Sequence, residues 1–158
     1  MYSPQKLESK RLLWEDMQGI ISCVDNEAIC FIGDFNCVRF KEERFRCAIS
    51  RRDSEEFNSL IKGLNLLKVQ MVNARFTWFG AEGKKSKLDR TLMNAEWFQM
   101  AQWEVSALCR KQSDHKPILL YARVSNKIER PFKLFNFHLK ESLVDNLKSK
   151  ALNNSSWG

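Results

Sequence analysis

Three short stretches carry side chains able to work on a phosphate: Asp34 with Asn36, Asp89, and Ser113-Asp114-His115. Asp34 and Asn36 follow the apolar run Ala28-Ile29-Cys30-Phe31-Ile32 and Gly33. In an extended chain the side chains at i and i+2 project to one side. The carboxylate and the amide then point together while Phe35 turns back to the core. A carboxylate so placed orients or deprotonates a water, and the amide beside it donates to a developing oxyanion. Taken alone, the same residues also read as a Gly-Asp turn closed by an asparagine. Asp89 lies in Lys87-Leu88-Asp89-Arg90, and His115 stands between Asp114 and the apolar run Ile118-Leu119-Leu120-Tyr121. A histidine in that place reads as a hydrogen-bonded structural residue by itself, and as part of an acid–base set once Asp34 and Asp89 stand near it.

The elements that must position these groups follow from apolar spacing. A short continuous apolar run before Gly33 predicts an interior strand, covered on both faces, that ends at Asp34. Residues 86–93 alternate, which places Leu88, Arg90 and Leu92 on one face and Lys87, Asp89 and Thr91 on the other. Arg90, inward on that alternation, pairs with an acid or reaches the rim of the site. Ser3 reads as an N-cap with Pro4 in the first helical position, and Leu13, Met17, Ile20, Ile21 and Val24 predict a helix over 4–24. Asp53, with Glu56 three residues on, predicts a second capped helix whose apolar face is Phe57, Leu60, Ile61 and Leu64, stopping near Gly63. Strands are expected over 66–72, 76–79 and 104–109, with a hairpin loop over 80–85 and a short helix capped by Asn94. Residues 38–52 show no period and read as a loop. There Arg39, Lys41, Arg44, Arg46, Arg51 and Arg52 face only Glu42 and Glu43, so the loop either holds a nucleic-acid backbone or is a solvated face with local ion pairs. Beyond Glu129 the chain turns aromatic and basic, and Leu139, Val144, Leu147 and Ala151 suggest a further helix, with His138 at its surface.

Composition bounds the partners. The 158 residues suit one globular domain with its own core, at 44% hydrophobic and 28% charged. Lys and Arg total 26 against 19 acidic residues, a net charge of +7, which favours polyanionic partners. Five cysteines, an odd number without a Cys-x-x-Cys pair, argue against a zinc site. Cys30 and Cys109 fall at apolar strand runs and are expected to be buried free thiols of a reducing compartment. No stretch reaches the length of a membrane span and no secretory leader opens the chain, so an intracellular location is expected.

Gly33-Asp34-Phe35-Asn36, Lys87-Leu88-Asp89-Arg90 and Ser113-Asp114-His115, in this order and at this separation, resemble the endonuclease/exonuclease/phosphatase superfamily. With Tyr2-Ser3-Pro4, Phe76-Thr77-Trp78 and Ser86 before Lys87, the chain is most similar to the endonuclease domain of plant LINE-type retrotransposons, through nearly its whole length. The resemblance implies an α/β (α+β) architecture, a DNase I-like four-layer sandwich of two face-to-face sheets with helices outside. Residues 1–125 would be its C-terminal portion, with the N-terminal half missing, and 126–158 resembles the connection from endonuclease to reverse transcriptase. The implied reaction is metal-dependent hydrolysis of a DNA phosphodiester. Asp34 would activate the water, Asn36 and His115 would stabilise charge on the phosphoryl group, and Asp89 would orient His115. Asp114 and Asp34 would help hold Mg2+ or Mn2+, with Asp114 alternatively tuning His115. Tyr2, Trp78 and Arg90, with Arg39 and Arg44 from the basic loop, would contact the substrate, although a frayed Tyr2 and a core Trp78 are equally consistent with the residues. DNA is the implied partner and the nucleus the implied place. With the family's main glutamate ligand in the missing half, the chain alone is expected to cleave weakly or not at all unless another chain completes it. Three other readings stay open on the sequence: a non-enzymatic basic nucleic-acid-binding remnant, a phosphatase of the same superfamily, and a transcribed gene fragment with no selected function.

Overall fold

The computed structural model describes residues 1–24 and 27–123, and the expected 126–158 segment, His138 included, lies outside them. The described residues form an α+β unit of three helices and eight short strands: α1 Leu7–Cys23, β1 Cys30–Asp34, β2 Arg44–Phe45, α2 Arg51–Gly63, β3 Leu67–Lys68, β4 Trp78–Phe79, β5 Lys85–Ser86, β6 Asp89–Met93, α3 Ala95–Gln99, β7 Trp103–Ala107 and β8 Ile118–Ala122. Three antiparallel sheets result, ordered β1-β6-β3, β2-β5-β4 and β7-β8.

The interior strand is β6, not β1. All five residues of β6 are buried, whereas β1 is half-buried up to Asp34. Alternation across 86–93 hides this, because it puts Asp89 and Thr91 on an outer face that the fold in fact covers, and because buried Arg90 brings its own partner. Arg90 is 2% exposed and forks onto Glu43, with Nη1 to Oε1 at 2.9 Å and Nη2 to Oε2 at 2.6 Å. Nη2 also donates to the carbonyls of Cys37 and Lys87, and the guanidinium lies over the Phe57 ring. The expected continuous strand over 86–93 is also broken into β5 and β6 at Lys87-Leu88.

The outer edge of β1 is closed by residues 1–3, which bridge it in parallel. Ser3 N–H donates to Asp34 O at 2.7 Å and Asp34 N–H to Met1 O at 3.1 Å. Ser3 is therefore a fully buried strand-like residue and caps nothing. The first helix begins at Leu7, after Lys6, without a side-chain cap. Gly33 is required by this closure: its φ is +144°, and a Cβ there would stand 2.0 Å from Met1 O.

Helices α1 and α2 cover one side of the first sheet. Trp14 and Met17 of α1 and Phe57, Leu60 and Ile61 of α2 bury against Phe35 and Leu92, with Phe57 5.3 Å from Phe35 and 6.1 Å from Trp14 by ring centroids. Each such side chain removed from water contributes about 1.5–3 kcal/mol. The N-cap of α2 is Ser50, whose Oγ accepts the Asp53 N–H. Asp53, expected as the cap, stands one turn inside, where its Oδ1 accepts the Ser50 hydroxyl at 2.6 Å and its Oδ2 is left for another partner. A second cluster, Val69, Met71, Met93, Val105 and Ala107, joins β6 to the β7-β8 pair.

Several expected elements shorten. Strand pairing over 66–72 survives only at Leu67–Lys68, followed by a single bridge from Met71 to Val105, and 76–79 contracts to Trp78–Phe79. The hairpin between β4 and β5 is present, turned by a 3-10 segment at Ala81–Gly83. The 38–52 stretch holds a 3-10 turn at Lys41–Glu43, strand β2 and the start of α2, elements too short or too late to give a period. Strand β7 ends at Ala107, so Cys109 is exposed rather than buried; Cys30 is partly covered, and the buried thiol is Cys37. No helix among the described residues is long and apolar enough to cross a membrane.

Candidate active site

The β1–β6 ladder sets Asp34 directly opposite Asp89. Both carboxylates are thus placed by backbone register, one at the exit of a strand and the other at the entry of its neighbour. His115 is delivered between them by a loop that β4 holds. Lys116 N–H donates to Thr77 O at 2.7 Å, Phe79 N–H to Asp114 O at 2.9 Å, and Trp78 bridges His115. Thr77, fully buried, also accepts the Leu88 and Asp89 amides on its hydroxyl, each at 3.0 Å, so one residue fixes the loop and the Asp89 backbone together.

His115 Nδ1 lies 2.9 Å from Asp89 Oδ2, and its Nε2 lies 3.9 Å from Asp34 Oδ2. The Asp89 carboxylate accepts, so Nδ1 carries the hydrogen and Nε2 is the basic nitrogen facing Asp34. Burial pushes the Asp34 carboxyl up, with Asp89's charge adding to it, while the Asn36 N–H, His115 and Lys10 pull the other way; the net shift is upward. Asp34 is therefore a carboxyl of raised pKa 3.9 Å from an imidazole of fixed tautomer, an arrangement able to pass a proton to or from a water or a phosphoryl oxygen.

Asn36 departs from the expected extended geometry. Its φ is +47°, and its own N–H returns to Asp34 Oδ1 at 2.7 Å. Asp34 and Asn36 make a tight turn around the fully buried Phe35, and the Asn36 side-chain Nδ2 donates to Ser3 O at 2.6 Å. Asn36 still lines the cleft, and one of its two amide N–H groups holds residues 1–3 to the turn.

Asp34, Asn36, Asp114 and His115 all line one cleft of ≈ 890 Å³, together with Tyr2, Trp78 and Arg44. Tyr2 is 69% exposed there. The Trp78 indole donates to Asp114 Oδ2 at 2.7 Å, so this tryptophan orients a site carboxylate rather than filling the core. Gly80 leaves it room, since a Cβ would stand 2.3 Å from the ring. Arg44 donates to Ala48 O at the rim. Arg39 does not line the cleft: its Nε donates to Asn58 Oδ1 at 2.7 Å and its N–H to Glu43 Oε2. Arg90 is buried behind the site on Glu43 and has no face on the cleft. The cleft also gathers Arg46 of the basic loop, and Lys10 and Lys84, which spacing alone does not single out for the site.

The expected metal pair, Asp34 and Asp114, lines the same cleft. Among the described residues no three His, Cys, Asp or Glu side chains converge on a common point that would hold a metal ion. Asp34 Oδ1 is taken by Asn36 N–H and Asp114 Oδ2 by Trp78. Each of these oxygens keeps a second lone pair, and two carboxylates leave most of the octahedron of a Mg2+ to water and substrate oxygens.

No family model matches the sequence, and no curated protein matches it. Among solved structures the chain is similar to a crystal structure of beta toxin 275-280 from Staphylococcus aureus, with a TM-score of 0.53 and 19% identity over 77% of this chain and 50% of that one. That structure has a DNase I-like fold, and the likeness bears on the fold alone. The chain spans half the length of the beta toxin chain.

Proposed function

We propose that this chain carries part of a phosphodiester-hydrolysing site of the LINE-endonuclease kind, directed at DNA, and that alone it binds the nucleic-acid backbone and cleaves slowly or not at all. The observation behind the proposal is the Asp89–His115–Asp34 row at 2.9 and 3.9 Å, of which His115 and Asp34 line a cleft together with Arg44, Arg46 and Lys84. A phosphate entering this cleft meets cations at the rim and the imidazole Nε2 at the floor. Asp89 keeps the imidazole in one tautomer and stabilises its charged form, and Asp34 takes or returns the proton of the attacking water. Trp78 keeps Asp114 at the mouth of the cleft. Mg2+ or Mn2+, when supplied, would polarise the phosphoryl oxygens; its remaining ligands would have to come from water, substrate and polypeptide beyond these residues. The same polypeptide would complete the four-layer sandwich, of which the described residues would be one part.

The test is a titration of the purified chain with supercoiled and linear DNA at several salt concentrations, with and without Mg2+ or Mn2+, beside Asp34→Ala and His115→Ala. Salt-dependent DNA binding with little nicking is expected, and binding in both variants should persist because lysine and arginine contacts carry it. Strong metal-dependent nicking lost in both variants would show a complete site and overturn the partial-site reading. Absence of DNA binding at low salt would overturn the choice of substrate.

A further inference from the structure

Lys10 is a lysine on an amphipathic helix, where a solvated ammonium is the ordinary outcome, yet it is 2% exposed. Its Nζ donates to Asn36 O at 2.9 Å and to Asp53 Oδ2 at 2.9 Å. It therefore ties α1 to the first turn of α2 and to the carbonyl of the left-handed residue that closes the Asp34 turn. Burying an ammonium is expensive, and an apolar side chain of similar length would pack at this position without that cost. The cost is accounted for by the place of the charge. Lys10 lines the same cleft as Asp34 and His115, and its charge reaches Asp34, where it opposes the burial that pushes that carboxyl up. Protein acceptors among the described residues take two of its three N–H groups.

We infer that Lys10 is a phosphate-binding residue of the cleft: Asn36 O and Asp53 hold its ammonium in place, and its third N–H is given to a phosphoryl oxygen of the ligand. Such a charge-assisted hydrogen bond is made on the floor of the cleft, where solvent screens it less than it screens the arginines of the rim. Asp53 is then a positioning residue, and α2 takes part in the site through it. The inference rests on the reading of this cleft as a phosphate site.

The experiment follows inorganic phosphate binding to the full chain by the ring resonances of its two histidines, with a His138→Gln variant to assign them. Wild type, Lys10→Met and Asp53→Asn are compared after circular dichroism has checked each fold. Both substitutions break the ion pair, but only the first removes the proposed donor. Phosphate is expected to shift His115 in the wild type, with affinity falling roughly tenfold or more in Lys10→Met and by no more than about threefold in Asp53→Asn. Lys10→Gln, which keeps two N–H donors for the two acceptors, stands in if the methionine variant does not fold, and the same loss is expected of it. Wild-type affinity in the Lys10 variants, or an equal loss in Asp53→Asn, overturns the inference and leaves the cleft reading standing. A wild type whose His115 does not respond to phosphate overturns both.

Discussion

Replacing Arg90 separates a residue that contacts substrate from one that holds the fold. Its guanidinium makes four hydrogen bonds, two of them a fork onto Glu43, whose side chain is 12% exposed. Arg90→Met leaves Glu43 as a buried carboxylate with only the Arg39 N–H on it. Removing one partner of a buried pair costs about 3–5 kcal/mol, and replacing both with apolar groups recovers most of that. For a domain of ordinary stability the single change removes a third or more of the total. With an m value of about 2 kcal/mol/M in urea, the unfolding midpoint should drop by roughly 2 M. Glu43→Leu should cost about as much, and the Arg90→Met/Glu43→Leu pair far less than the sum, a coupling that a double-mutant cycle reads directly. The assay is urea unfolding followed by circular dichroism and tryptophan fluorescence, with DNA affinity measured at denaturant concentrations where each variant is folded. Affinity should stay within about threefold of wild type, because Arg90 has no face on the cleft. The pH dependence has a definite sign. Burial pushes the Glu43 carboxyl up, but the Arg90 fork and the Arg39 N–H outweigh it, leaving its pKa below the ordinary 4.5. Its contribution is therefore full above that value and is lost as pH falls through the lowered pKa, a loss that Arg90→Met should abolish. Single variants within 1 kcal/mol of wild type, strict additivity in the double, or a tenfold loss of DNA affinity in folded Arg90→Met would refute the assignment.

Asp34→Asn keeps an oxygen for the Asn36 N–H and removes a carboxylate whose pKa is raised on folding. A raised acid pKa means that the folded state binds the proton more tightly, so ionisation at neutral pH opposes folding. The variant should melt above the wild type at pH 7, and the gap should close as pH falls through the raised pKa. Asp89→Asn should weaken phosphate binding or residual cleavage by about 10–100-fold through loss of the His115 tautomer, while leaving the salt slope of DNA binding unchanged. Burial pushes the Cys37 thiol up to about 11, so timed alkylation followed by peptide mass analysis should label the exposed Cys23 and Cys109 first and Cys37 only on unfolding.

Features that depend on neighbours along the chain are the ones legible in the sequence. The strand before Asp34, the amphipathic stripe of α2 and the β4–β5 hairpin are all written in local spacing. The inward direction of Arg90 is also readable from alternation, but not that Glu43, 47 residues away, absorbs it. Ser3 has the chemistry of an N-cap, and only the Asp34 carbonyl across the sheet turns it into a buried edge residue. The orientation of Asn36 escapes a reading by alternation because that reading takes the chain as extended through a residue that adopts a left-handed φ. Lys10 gives no signal at all, since its burial depends on two acceptors from other elements, Asn36 O and Asp53. Thr77 is the opposite case: the Phe76-Thr77-Trp78 wording marks this stretch, and the hydroxyl bonded to the Leu88 and Asp89 amides is a physical reason for it.

The pairing of Asp34 with Asp89 across the ladder also has an evolutionary consequence. Two acidic groups on facing positions of one sheet behave as marks on a ruler, because slipping the register by a single residue would put Asp34 opposite Arg90 or Leu88 and send a side chain to the wrong face. The ladder, and not the length of the chain between them, sets the gap. Within the connection from Phe35 to Leu88 the surface turn at Ala81–Gly83 can therefore change length, while Glu43, Phe57 and Thr77 stay tied to Arg90, to the core and to the Leu88 and Asp89 amides. Change is tolerated best in such surface turns, while the separation of the carboxylates goes with the hydrogen-bond ladder itself.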